Sequence, residues 1–104
     1  MNFGKFEPDE HYVEQIMEQS IEHNVFDLKN GYRVSVIRGG RYTYGGRAGL
    51  WELAVMDDED HDIVATPLTK GRNDVIGYLS EADVERALEA VEALPPRKRR
   101  RRKR

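Results

Sequence analysis

The stretch VFDLKNGYRVSVIRG, residues 25–39, constrains the fold more than any other. Asn30 and Gly31 both tolerate positive φ and lie between two apolar-rich runs, a strong short-range signal for a hairpin. The chain is thereby expected to contain an antiparallel strand pair. In its second strand Val34 and Val36, with Tyr32, share one face, and Arg33, Ser35 and Ile37 take the other.

Around this hairpin the pattern predicts helices at both ends. Pro8, Asp9 and Glu10 place a φ-restricted residue and two acids at a helix start. Tyr12, Val13, Ile16, Met17 and Ile21 follow at helical spacing, giving an amphipathic helix of about four turns. Its outer face would carry Glu10, Glu14, Glu18 and Glu22 at i,i+4 steps, with His23 near its C-terminal end. That stripe repels itself by a few tenths of a kcal/mol per pair and would welcome a cation. After a glycine-rich segment, LWELAVMD reads as a central strand and DDEDHD, residues 57–62, as an acidic turn. IVATPL reads as a strand ended by Pro67, and LTKGRNDVIGYL as loop plus a short extended piece. Ser80 is an N-cap with Asp83 at the capping-box position. The helix it opens buries Val84, Ala87, Leu88, Val91 and Leu94 and ends at Pro95 and Pro96. The expected fold is α+β: an antiparallel sheet of three or four strands flanked by an N-terminal and a C-terminal helix, both on one face.

Charge divides the chain in two. Of 17 Lys and Arg residues, eight form the run Arg97, Lys98, Arg99, Arg100, Arg101, Arg102, Lys103 and Arg104, leaving nine against all 19 Asp and Glu. The net charge of −2 therefore hides an acidic body and a basic tail. Runs of like charge stay solvated, so residues 1–96 are read as a single acidic domain and 97–104 as a disordered arm. A chain of 104 residues can bury roughly 60–65% of its unfolded surface, enough for one modest core. The absence of cysteine excludes a disulfide scaffold, a thiolate zinc site and a cysteine nucleophile. No signal peptide and no run of about 18 apolar residues is seen, so a soluble intracellular protein without membrane contact is expected.

Three segments could carry chemistry. The tail can follow a phosphate backbone, and its arginines outnumber its lysines six to two, which favours bidentate phosphate contacts. It contains no aromatic residue, so it should be blind to sequence. The plainer readings are a tether onto the body's glutamates or a solvated extension. In RGGRYTYGGRAGLW, Arg38, Arg41 and Arg47 interleave with Tyr42, Tyr44 and Trp51 among five glycines. Such a loop can stack bases or grip phosphates, or it can be a structured connection at the sheet edge. DDEDHD with His61 lacks the glycine and glutamate of a calcium-binding EF-hand loop, and His11 with Glu14 is an isolated HxxE pair. The three serines, Ser20, Ser35 and Ser80, fit no nucleophile motif. No catalytic residue, metal or cofactor is assigned.

The segments YRVSVIRGGRYTYGGRAGLWELAVMD and TPLTKGRNDVIGYLSEADVERALEAVEAL resemble a family of small tailed-bacteriophage proteins. In that family a YGG…GLWE.AV strand is followed by a DVIGYL segment and a short acidic closing helix. The resemblance implies expression in a bacterial host cytoplasm and supplies no catalytic residues; the basic tail departs from the family pattern.

Two functional readings follow. The first is a non-enzymatic accessory protein contacting nucleic acid non-specifically through Arg97 to Arg104, with Arg38, Arg41, Tyr42, Tyr44 and Arg47 as a second contact. The alternative is a phage-encoded modulator of a host protein that presents the acidic helices Glu10 to Glu22 and Glu81 to Glu92. Dimerisation through a sheet face is left open.

Overall fold

In the computed structural model, which describes residues 1–71 and 74–97, the chain runs as a five-strand antiparallel meander. The strands are β1 (Glu10–Ile16), β2 (Gln19–Asp27), β3 (Tyr32–Arg38), β4 (Trp51–Asp57) and β5 (Ile76–Leu79), side by side in chain order. Helix α1 (Glu81–Glu92) follows and packs on one face.

The N-terminal helix expected from the sequence is absent: its residues form the hairpin β1–β2. Met17 and Glu18 occupy the two-residue turn with φ of +49° and +70°, the left-handed pair that matches strand twist in a tight hairpin. The glutamate spacing shows why the helix loses. On a helix, Glu10, Glu14, Glu18 and Glu22 would repel one another, whereas the sheet supplies arginine or histidine partners to three of them. Glu10 meets Arg33 at 2.8 Å, Glu14 meets His23 at 2.9 Å, and Glu22 meets Arg38 at 3.2 Å and His11 at 3.3 Å. Among the described residues the sheet thus has five strands rather than three or four, with one α-helix against it.

The covered face carries Phe26, Val34, Val36, Trp51, Leu53 and Val55 against Val84, Leu88 and Val91 of α1. The alternation expected for β3 holds, with Val34 and Val36 fully buried and Arg33, Ser35 and Ile37 on the uncovered side. Residues before β1 complete the lid. Phe3 and Phe6 exchange backbone hydrogen bonds of 2.9 and 3.0 Å across a tight turn. Phe3 then lies edge-on to Trp51 and Phe26, with ring centroids 5.1 and 6.1 Å away. Two aromatic side chains cover what the expected helix was to cover.

The cap expected at the start of α1 is present: Ser80 Oγ accepts from the Asp83 N–H at 3.1 Å, and Asp83 Oδ2 accepts from the Ser80 N–H at 3.0 Å. Its other end is held from a distance. The turn from Leu28 to Gly31 closes β2–β3 as expected, but there only Gly31 has positive φ, at +91°. Asn30 instead turns its amide to the helix, donating to the Val91 and Leu94 carbonyls at 2.8 and 3.1 Å. These are carbonyls that a helix end leaves without internal partners. IVATPL is not a strand: Ile63 forms one isolated bridge to Met56, and Pro67–Thr69 makes a 3₁₀ turn. No described helix is long and apolar enough to cross a membrane.

Candidate functional site

The connection from β3 to β4, residues 39–50, folds into two 3₁₀ turns, Gly40–Tyr42 and Gly46–Ala48. Buried Thr43 organises the first, its hydroxyl accepting from the Gly39 N–H at 2.9 Å. At Gly46 any Cβ would collide with the Gly40 carbonyl and the Thr43 hydroxyl, so the two turns pack only because a side chain is missing there. The loop is fastened to the sheet by backbone groups. Tyr44 N–H donates to Glu52 Oε1 at 2.8 Å, and Tyr44 C=O accepts from Tyr78 N–H at 3.2 Å. Between these points lies an open depression of about 410 Å³, bordered by Arg41, Tyr44, Arg47 and Tyr78.

Tyr78 enters this site through an irregularity in β5. Trp51 pairs with Leu79 and Leu53 with Ile76, so Glu52 faces two residues, Gly77 and Tyr78, and the strand bulges. Bulges re-aim side chains. Tyr78 adopts φ of +60° and leaves its side chain exposed, at 66%. A left-handed conformation costs a bulky L-residue roughly 1–2 kcal/mol. Tyr44, 60% exposed, packs its Cβ over Gly77, where no side chain could fit.

The arginines sort into two groups. Arg33, Arg38, Arg86 and Arg97 are each in an ion pair. Among the described residues Arg41 and Arg47 meet no carboxylate, and Arg41 lies over the Tyr42 ring at 5.6 Å. The structure therefore brings Arg41, Tyr42, Tyr44 and Arg47 onto one loop, as the sequence implied. Arg38 and Trp51 leave the group. The Arg38 guanidinium covers the Trp51 ring at 4.1 Å and donates to the Gly49 carbonyl at 3.2 Å, while Trp51 is buried in the core. Arg38 also acts on Glu22: burial pushes that carboxyl up, but hydrogen bonds with His11, Arg38 and Asn24 outweigh it and hold it below its usual range.

Arg97, the first residue of the basic run, is docked rather than free. Its Nε donates to Asp57 at 2.7 Å, its guanidinium lies 5.4 Å from the Tyr32 ring centre, and its N–H donates to the Asn30 carbonyl at 2.8 Å. The Asp57 carboxyl is held below its usual range by the Glu59 N–H, opposed by burial, with help from Arg97. Lys98, Arg99, Arg100, Arg101, Arg102, Lys103 and Arg104, and with them the expectation of a disordered arm, lie outside the described residues. Arg97 sits beside the first residue of β3 and the Arg41–Arg47 loop follows its last, so Arg97 and that loop are separated by the strand's length, about 20 Å.

Other candidates dissolve. His11 and Glu14 fall on opposite faces of β1, because strand side chains alternate. In the acidic turn, Asp57 Oδ1 accepts from the Glu59 and Asp60 N–H groups, and among the described residues no three His, Asp or Glu side chains converge. The acidic helix proposed for Glu10 to Glu22 does not exist, and three of its glutamates are used in cross-strand pairs. Tyr78 was missed, although Gly77 inside an apolar run is the kind of signal that marks a bulge. Compared with protein-family models, curated proteins and solved structures, the chain matches none.

Proposed function

We propose that the protein is a non-enzymatic accessory protein of the bacterial host cytoplasm that contacts nucleic acid along its phosphate backbone, without sequence preference. The basic run that follows Arg97, itself docked on Asp57, supplies most of the contact, and Arg41, Tyr42, Tyr44 and Arg47 form a second one. One observation carries this reading. Among the described residues Arg33, Arg38, Arg86 and Arg97 are each paired with a carboxylate, whereas Arg41 and Arg47 meet none and lie together on a tethered loop beside exposed tyrosines. Guanidinium groups without a carboxylate partner are the ones free to take phosphate.

The acidic body opposes such binding, so affinity should fall steeply with salt. Fluorescence anisotropy of the full chain with a mixed-sequence duplex, from about 50 to 300 mM salt, tests it. Seven or eight phosphate contacts give a slope of log K against log salt near −6 to −7. Arg41→Ala with Arg47→Ala should reduce its magnitude by about 2. A flat slope removes the reading.

A further inference from the structure

Resting on that nucleic-acid reading, we infer that the depression beside Tyr78 is a base-stacking subsite for single-stranded nucleic acid. Tyr44 and Tyr78 take base faces, and Arg41 and Arg47 take the adjoining phosphates.

The argument starts from the left-handed backbone of Tyr78. Residues on either side of it, Ile76 and Leu79, pair in register with β4, so the bulge is confined to Gly77 and Tyr78. Its effect is to push out an aromatic ring that fills no part of the core. Sparsely populated conformations persist only where the surroundings fix them, and they concentrate at binding sites. Here the surroundings are visible. Gly45, itself at φ of +94°, comes against the Tyr78 backbone, and Gly77 accepts Tyr44 Cβ where any side chain would collide. The Tyr78 N–H is tied to the Tyr44 carbonyl. Both tyrosines are therefore anchored by their main chains while their rings remain exposed at 60% and 66%. With the main chains fixed, binding must order only the two side-chain torsions of each ring.

The ligand class follows from what such rings can reach. A duplex keeps its base faces stacked inside and offers phosphates, which the arginines could meet but which leave the tyrosines idle. Single strands offer π-faces of any base, and stacking on aromatic residues tolerates every sequence. A depression of about 410 Å³ is at the small end of ligand sites, which suits one or two nucleotide units rather than a longer run.

The test uses the full chain near 200 mM salt, where long-range backbone attraction is screened. Four labelled probes of equal length are compared: oligo-dT, oligo-rU, an abasic deoxyribose-phosphate strand and a DNA duplex. The inference expects oligo-dT or oligo-rU to bind about 5–150-fold tighter than the abasic strand, and the better of the two identifies DNA or RNA as the source. Tyr44→Ala should narrow the gap. Tyr78→Asn is the sharper variant, because asparagine accepts left-handed backbone: it should raise the melting temperature and still lower oligonucleotide affinity. Equal binding of the abasic and base-bearing strands overturns the stacking site while leaving backbone contact intact. Absence of binding to all four probes both near 200 mM and at about 50 mM salt overturns both. Tighter binding to the duplex, or unchanged affinity in Tyr78→Asn, also overturns the subsite.

Discussion

Replacing Met17 and Glu18 together by asparagine and glycine should stabilise the protein. Both residues sit in the β1–β2 turn with φ of +49° and +70°, a conformation that costs an ordinary L-residue about 1 kcal/mol or more. Asparagine relieves part of this and glycine nearly all. Met17 is 76% exposed, so its removal forfeits almost no burial. Against the gain stands the extra freedom of glycine in the unfolded chain, about 0.5–1 kcal/mol. The net stabilisation is about 1 kcal/mol, which raises the urea midpoint by about 0.5–1 M and the melting temperature by about 4–8 °C. Fluorescence of Trp51, buried in the core, reports the transition. Were residues 10–22 a helix, the same pair would lie mid-helix and cost about 1.5 kcal/mol. The two backbones thus give opposite signs, and a lowered or unchanged midpoint would refute the hairpin argument.

Further substitutions probe other joints. Asn30→Ala removes two donors from the end of α1 and should cost about 2 kcal/mol, read as a melting temperature lower by 8 °C or more; a change within 2 °C would deny the remote cap its role. Phe3→Ala should cost about 3–5 kcal/mol in urea unfolding, since its ring is buried against Trp51 and Phe26. Glu22 and Asp57 both have lowered carboxyl values in the folded state, so the stability they contribute is present at neutral pH and is lost as the pH falls below about 5. Arg38→Met should flatten that acid limb in a pH series of urea midpoints, and an unchanged slope would count against the Glu22 contact.

Where structure depends on neighbours in sequence, it could be read from sequence. The alternation of Tyr32–Arg38, the Ser80–Asp83 cap and the buried stripe of Val84, Leu88 and Val91 are each set within a few residues. The first hairpin was hidden because its turn residues are methionine and glutamate, which carry no turn signal, and because Tyr12, Val13, Ile16 and Met17 also satisfy a helical period. The strand form gains burial of Ile21, Val25 and Phe26 and the pairings with Arg33, His23 and Arg38 from other positions in the sheet, none of which is visible locally. The site divides in the same way. Arg41, Tyr42, Tyr44 and Arg47 are neighbours in the chain and were legible together. Tyr78 joins them only through the β4–β5 register, and Arg38 with Trp51 is withdrawn by burial.

The docking of Arg97 at one end of β3, with Arg41 and Arg47 at the other, gives the molecule a length scale. A polyanion that touches both Arg97 and the loop must extend about 20 Å, roughly six steps at 3.4 Å per phosphate on one strand. Shorter fragments engage one end or the other; longer ones engage both, the second contact forming at the high effective concentration set by the first. Affinity plotted against oligonucleotide length should therefore climb abruptly at a threshold rather than rise smoothly, so that the sheet acts as a ruler.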